Sequence, residues 1–254
     1  MLTSQRKTQI QERLLRDGEV VAKALSQEWG VSEDTIRRDL RELAHMGKLQ
    51  RVHGGALPAS AATAPLEQRL HIASSEKQAL GRAGAALVQP GQLVFLDGGS
   101  TALQLAAQLD PTLRATFVTH SPSVAIALAV KPHLEIIVLG GTLYRHSMVH
   151  VGASVIEAAL RMRADLFFMG VTGVHTDVGL STANHEEAAV KRALHACAAE
   201  TVVMASSEKL GAASPFVVAP VRTLSALLVA PETSPKAISR LQAAGVRVLV
   251  CPAV

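Results

Sequence analysis

Seven short aliphatic runs, at 92–97, 115–119, 134–139, 165–169, 201–205, 226–229 and 247–250, limit what this chain can fold into. Helical patterns at 101–109, 123–129, 186–199 and 235–244 lie among them. Runs that are aliphatic almost without a break suit strands covered on both faces, and strands alternating with helices predict a mostly parallel sheet. An α/β unit is therefore expected over most of the chain. No short-period internal repeat is visible.

The first quarter is written differently. Ile10 and Leu14, then Leu25 and Trp29, then Ile36, Leu40 and Leu43, recur at helical spacing and predict a small apolar core. Gly30 can take the positive φ that ends a helix, and Ser32 can cap the next. Beyond Gly47, the stretch 48–53 alternates like a strand, and Gly54 and Gly55 close it. Two helices around a tight turn followed by a basic hairpin predict a winged helix-turn-helix. Ser32, Asp34, Thr35, Arg37 and Arg38 fall on the outer faces of the second helix, and Lys48, Arg51 and His53 fall along the wing. A helix of this kind enters the major groove, where arginine reaches guanine O6 and N7. An arginine pair alone is more often a solvated face with i, i+4 partners such as Glu42. The capped turn, apolar stripe, arginine pair and basic hairpin together favour DNA contact.

Charge supports this only through its placement. The formal net charge is +4, but residues 1–57 hold 10 of the 25 Lys and Arg. Aromatic residues make up 3%, too few for stacking single-stranded nucleic acid. Residues 58–65 are small, polar and bracketed by prolines, and read as a linker. The expected division is 1–57 for the winged helix, 58–74 for the linker and 75–254 for an α/β effector domain. Cys197 and Cys251 fit no metal spacing, and His146 and His150 lack partners at such spacing. No metal and no cofactor are expected. With no membrane-spanning stretch or leader pattern, a cytoplasmic protein is expected.

Ligands of parallel α/β sheets bind beyond the carboxyl ends of the strands, and this chain clusters glycine, hydroxyl and charged residues there. Asp97, Gly98, Gly99, Ser100 and Thr101 stop one strand and open a helix whose free N–H groups suit a phosphate. The string equally fits an ordinary strand-to-helix turn. It is neither a Walker loop nor a dinucleotide fingerprint. His120, Gly141 and Thr172 stand at other strand ends, Glu187 and Lys191 on a later helix, and Lys77 and Lys209 near helix starts. Each single lysine is as well explained by solvated charge.

The strings from Val31 to Leu40 and from Arg51 to Ala56 resemble the DeoR family of bacterial transcriptional regulators. Asp97–Thr101, Gly179–Thr182, Glu187–Arg192 and Glu208–Gly211 extend the resemblance over nearly the whole chain. The resemblance implies an effector domain similar in fold to ribose-5-phosphate isomerase, and a phosphorylated sugar or related metabolite as effector. It implies a repressor of a carbohydrate-catabolism operon, bound to double-stranded operator DNA as a homodimer or homotetramer. Carried over by motif, Gly98, Gly99, Ser100 and Thr101 hold the phosphate, with Lys77 and Lys209 as charged partners. His120 and Ser206 depart from the family's residues, which bears on ligand identity. The rival is a sugar-phosphate isomerase with a DNA-binding appendage. The loop 170–175 offers no carboxylate base, and Glu187 alone does not make a convincing proton-transfer site. Binding without turnover is expected.

Overall fold

The computed structural model describes residues 2–252. The first unit contains helix α1 (Thr3–Asp17), strand β1 (Val20–Val21), helices α2 (Ala22–Trp29) and α3 (Glu33–His45), and strands β2 (Leu49–Val52) and β3 (Gly55–Pro58). Of the apolar set expected from spacing, Ile10, Leu14, Leu25, Ile36, Leu40 and Leu43 are buried in its core, and Trp29 is partly buried against them. Gly30 ends α2 at φ 62°, and the Ser32 hydroxyl accepts the Thr35 backbone N–H to cap α3. The β2–β3 hairpin is the wing, with Arg51 opposite Ala56 and Val52 opposite Gly55. β1 adds to the other edge of β3. Gly55 has no alternative there, because a Cβ would stand 1.9 Å from the Val20 carbonyl oxygen.

The second unit begins with α4 (Leu66–Arg69), α5 (Ser74–Ala85), β4 (Leu93–Leu96), α6 (Ser100–Gln108), β5 (Thr116–Thr119), α7 (Pro122–Ala129) and β6 (Glu135–Val138). A hairpin of β7 (Thr142–Tyr144) and β8 (Val149–Val151) follows, then α8 (Ala153–Leu160) and β9 (Ala164–Met169). The chain continues through β10 (Gly173–His175), β11 (Gly179–Thr182), α9 (His185–Ala196), β12 (Ala198–Ala205) and β13 (Phe216–Ala219). It closes with β14 (Ala226–Val229), α10 (Pro235–Ala243) and β15 (Val248–Val250).

The main sheet has seven strands in the order β15-β14-β12-β9-β4-β5-β6, and every pairing is parallel. Each of the seven aliphatic runs supplies one strand. Period-two alternation divides their side chains between two cores. Phe95, Phe167, Val203 and Leu227 face α8 and α9, while Val94, Phe168, Val202 and Leu228 face α5, α6 and α7. The chain steps outward from β4 to β6 and then returns to lay β9 on the other side of β4. The β4–β9 boundary is thus a topological switch point, where a crevice opens beyond the strand ends.

Three features were not expected from the sequence, and the β7–β8 hairpin is the first. β10, β11 and β13 form a separate antiparallel sheet, because these strands are short and two of them flank a turn. The proline-bracketed segment is not a free tether. Ala59 bridges Ala213, the Ser60 hydroxyl donates to the Glu208 carbonyl at 3.1 Å, and the Leu66 N–H donates to the His146 carbonyl at 2.9 Å. Its small residues, which read as flexibility, allow this close approach. Cys197 and Cys251 are buried and form no disulfide, and burial pushes the Cys251 thiol up to about 11. Among the described residues no helix is long and apolar enough to cross a membrane.

Candidate functional site

A cavity lies at the switch point. β4 stops at Leu96, and Asp97, Gly98 and Gly99 turn the chain sharply into α6. A Cβ on Gly98 would stand 2.3 Å from a Val149 methyl, and Gly99 has φ 118°. Both positions therefore need glycine, and the N-terminus of α6 opens onto the cavity with no side-chain cap. Ser100 and Thr101 are buried beside it.

The cavity is walled by Lys77, Gly98, Gly99, Ser100, Thr101, Thr172, Glu187, Lys191 and Lys209, nine of the residues expected from sequence. Lys77, Lys191 and Lys209 are buried, as is Glu187. Lysines are almost never fully buried without compensation, and each here is compensated differently. Lys191 Nζ donates to Asp97 at 2.7 Å. Lys77 Nζ donates to the Arg69 and Ile72 carbonyls and lies 3.5 Å from Glu208. Lys209 Nζ has the poorest compensation, a 3.2 Å bond to the Thr101 hydroxyl and a 3.3 Å bond to the Met204 carbonyl. Burial pushes its pKa down to about 8, Glu208 opposes the fall, and Lys77, Arg69 and Lys191 add to it. A buried, underneutralised ammonium beside a helix N-terminus favours an anion.

Three expected residues are placed elsewhere. Asp97 is wholly buried beneath the cavity, and its oxygens accept from Lys191 Nζ and the Gly98 and Gly170 N–H groups. His120 is also wholly buried. Its Nε2 lies 2.7 Å from Asp97 Oδ1 and its Nδ1 2.7 Å from the His150 carbonyl. Neither ring nitrogen remains for a ligand, so Asp97 and His120 support the floor instead of touching the contents. Gly141 packs against β8 and the start of α8, where a Cβ would stand 2.7 Å from the Val151 carbonyl. That contact explains the glycine without a ligand.

Arg69, Ser147 and Glu208 also wall the cavity, and sequence reasoning missed them. Arg69 lay inside the segment read as linker, and Ser147 lies on the turn of the unexpected β7–β8 hairpin. Glu208 stood beside the singled-out Lys209, yet a single acidic residue in a loop carries no signal of its own.

On the first unit, Ser32, Asp34, Arg37, Arg38, Lys48, Arg51 and His53 are all exposed, and Thr35 is half-buried. Arg37 is held by Glu33 at 2.7 Å. Glu42, the partner considered for the arginine pair, binds Lys7 of α1 instead. Arg38 makes no ion pair among the described residues. Behind this face, Asp39 is wholly buried and takes two hydrogen bonds from the Arg6 guanidinium, at 2.7 and 3.2 Å, locking α1 to α3.

The DeoR-like helix-turn-helix domain model matches residues 6–61, and the DeoR C terminal sensor domain model matches residues 72–229. The chain belongs to the DeoR family. It is a DNA-binding transcriptional regulator and not an enzyme. The HTH-type transcriptional regulator GlpR of Haloferax volcanii is 34% identical over 83% of each chain. The Glycerol-3-phosphate regulon repressor of Escherichia coli K12 is 31% identical over 83% of this chain and 84% of its own. Among solved structures, ribose 5-phosphate isomerase A from Methanocaldococcus jannaschii overlaps 54% of each chain at 18% identity and a TM-score of 0.40. That likeness is too distant to bear on function.

Proposed function

We propose that this regulator is a repressor of a carbohydrate-related operon, released from its operator by a phosphorylated sugar or a related phosphate ester. Residues 1–57 read the DNA, 75–254 bind the effector, and 58–74 join them. The observation that carries this reading is the cavity, where three buried lysines and an uncapped helix N-terminus converge on one space. A phosphate dianion would satisfy the N–H groups of α6 and neutralise Lys209 together. In this reading Glu187 accepts from a sugar hydroxyl, with Thr172 beside it in the wall. The Escherichia coli relative is named for a glycerol-3-phosphate regulon, and glycerol 3-phosphate is a phosphate ester. A gel shift on the DNA upstream of the gene, with a panel of sugar phosphates, tests it. Release by one ester supports the reading, and indifference to every phosphorylated compound overturns it.

The proposed DNA contacts are Ser32, Asp34, Thr35, Arg37, Arg38, Lys48, Arg51 and His53. The chain would bind as a homodimer or homotetramer, with reading heads about 34–36 Å apart on half-sites one helical turn apart. Arg38→Ala is expected to weaken operator binding by about 1–3 kcal/mol and to relax preference at one base position. Competition with unrelated DNA checks this. A loss of the same size on every sequence would move Arg38 from a base edge to the phosphate backbone.

The pH dependence of effector binding follows from Lys209. Burial brings the Lys209 pKa down to about 8, and a bound phosphate would stabilise the ammonium. Phosphate-ester affinity is therefore expected to be flat just below pH 8. Above it, affinity falls by about tenfold per pH unit as the ammonium loses its proton. Below about pH 6 the ester itself becomes a monoanion and binds less well. Calorimetric titrations at pH 7 and pH 9 measure the effect, with proton uptake on binding near pH 8. An affinity unchanged between the two would place the phosphate away from Lys209.

A further inference from the structure

The cavity receives one cation, Arg69, from the 58–74 segment that joins the two units. Arg69 ends α4. Its guanidinium stands over the Gly98–Gly99 turn, with Nη1 3.5 Å from where a Gly99 Cβ would be. Nη2 donates to the Ser147 hydroxyl at 3.3 Å, while the buried Nε has no partner. Buried donors are almost always satisfied, and this one sits in the wall of a basic cavity facing the uncapped end of α6. Burial disfavours the charged guanidinium, and Glu187 and Asp97 only partly offset this.

The backbone around Arg69 is also tied to the cavity. Lys77 Nζ holds the Arg69 and Ile72 carbonyls, and Lys77 faces Glu208. Ser60, earlier in the same segment, donates to the Glu208 carbonyl. Residues 59–69 thus form a strap that is held to the second unit and lends Ala62 and Arg69 to the cavity wall, continuous with wing strand β3 at Pro58.

We infer that Arg69 is a ligand clamp: its guanidinium binds the effector's phosphate opposite Gly98 and Gly99, and this contact fixes the strap that leads to the reading head. The inference rests on the phosphate-ester reading of the cavity and adds the route by which occupancy reaches the DNA-binding unit. A ligand biases a segment only through contacts that differ between its two states. Arg69 supplies such a contact, since its fork suits a phosphate and its backbone belongs to the strap.

The test uses the full chain with inorganic phosphate as probe, read by calorimetry and by hydrogen exchange of peptides spanning 59–70. Phosphate is expected to bind the wild type and slow exchange in the strap. Arg69→Gln is expected to bind phosphate about 10- to 100-fold more weakly and to show no strap protection at saturation. Arg69→Lys, a point charge without the fork, is expected to fall between them and serves as the folding control. If Arg69→Gln binds and protects like wild type while Lys209→Gln loses binding, the clamp is refuted and the site reading stands. If the strap of Arg69→Gln exchanges faster without phosphate and affinity is unchanged, Arg69 is a structural staple and the clamp is again refuted. If the wild type binds no phosphate, the site reading falls and the clamp falls with it.

Discussion

Asp97→Asn is expected to destabilise the sensor by about 3–5 kcal/mol, because it leaves the buried Lys191 ammonium without its carboxylate. The amide also turns a donor toward Lys191 or His120, where the carboxylate offers only acceptors. Asp97→Asn with Lys191→Met removes both charges and is expected to regain part of the loss, a coupling visible in a double-mutant cycle. Urea unfolding of the wild type, Asp97→Asn, Lys191→Met and the double variant measures the cycle. A single-mutant loss below about 1 kcal/mol would mean the pair does not hold the floor. The same carboxylate sets an acid limit. Burial opposes its ionisation most strongly, but Lys191 and His120 outweigh that and hold it well below the usual carboxylate range. A depressed carboxylate contributes stability that is present above about pH 4 and is lost as pH falls further. Asp97→Asn is expected to flatten that acid limb.

Arg6→Met is expected to cost the reading head about 3 kcal/mol or more. The cost is the Asp39 charge, wholly buried and left with no cation. A unit of this size has little stability to spare, so operator binding is expected to fall steeply while phosphate binding by the sensor is unchanged. Arg6→Lys is expected to recover only part, since an ammonium cannot make both bonds of the fork. Hydrogen exchange resolved by domain, read beside a gel shift, checks the separation. Equal protection of the head in wild type and Arg6→Met would contradict it.

The two expectations show where the sequence was informative. Asp97 stood out because it ends an aliphatic strand before two glycines, and a strand end in a parallel sheet is where a site is sought. Its role differed from the expected one. Spacing places a carboxylate at a rim but does not say which donors will surround it, so its burial under Lys191 and His120 was not legible. Asp39 was passed over because a carboxylate on a surface helix carries no mark of burial, and its partner Arg6 lies 33 residues away. The winged helix was legible because it is local: caps, an i, i+4 stripe and a glycine-closed hairpin are all set by near neighbours. The inner strands were legible because they are largely buried on both faces and their runs are mainly aliphatic, and the half-exposed edge strands β6 and β15 were legible from their short aliphatic runs. Arg69 was hidden by composition. Small residues and prolines mark a linker and also a strap packed against a surface, and only the distant partners Glu208, His146 and Ser147 separate the two.

Coupling between the cavity and the reading head is most directly measured by titrating the releasing phosphate ester into the protein with and without operator DNA. An ester that loosens DNA must itself be loosened by DNA, by the same factor. The expected result is weaker ester binding on the operator complex, matching the ester's effect on operator affinity. Equal ester affinity in the two titrations would contradict a sensor that controls DNA binding through this cavity.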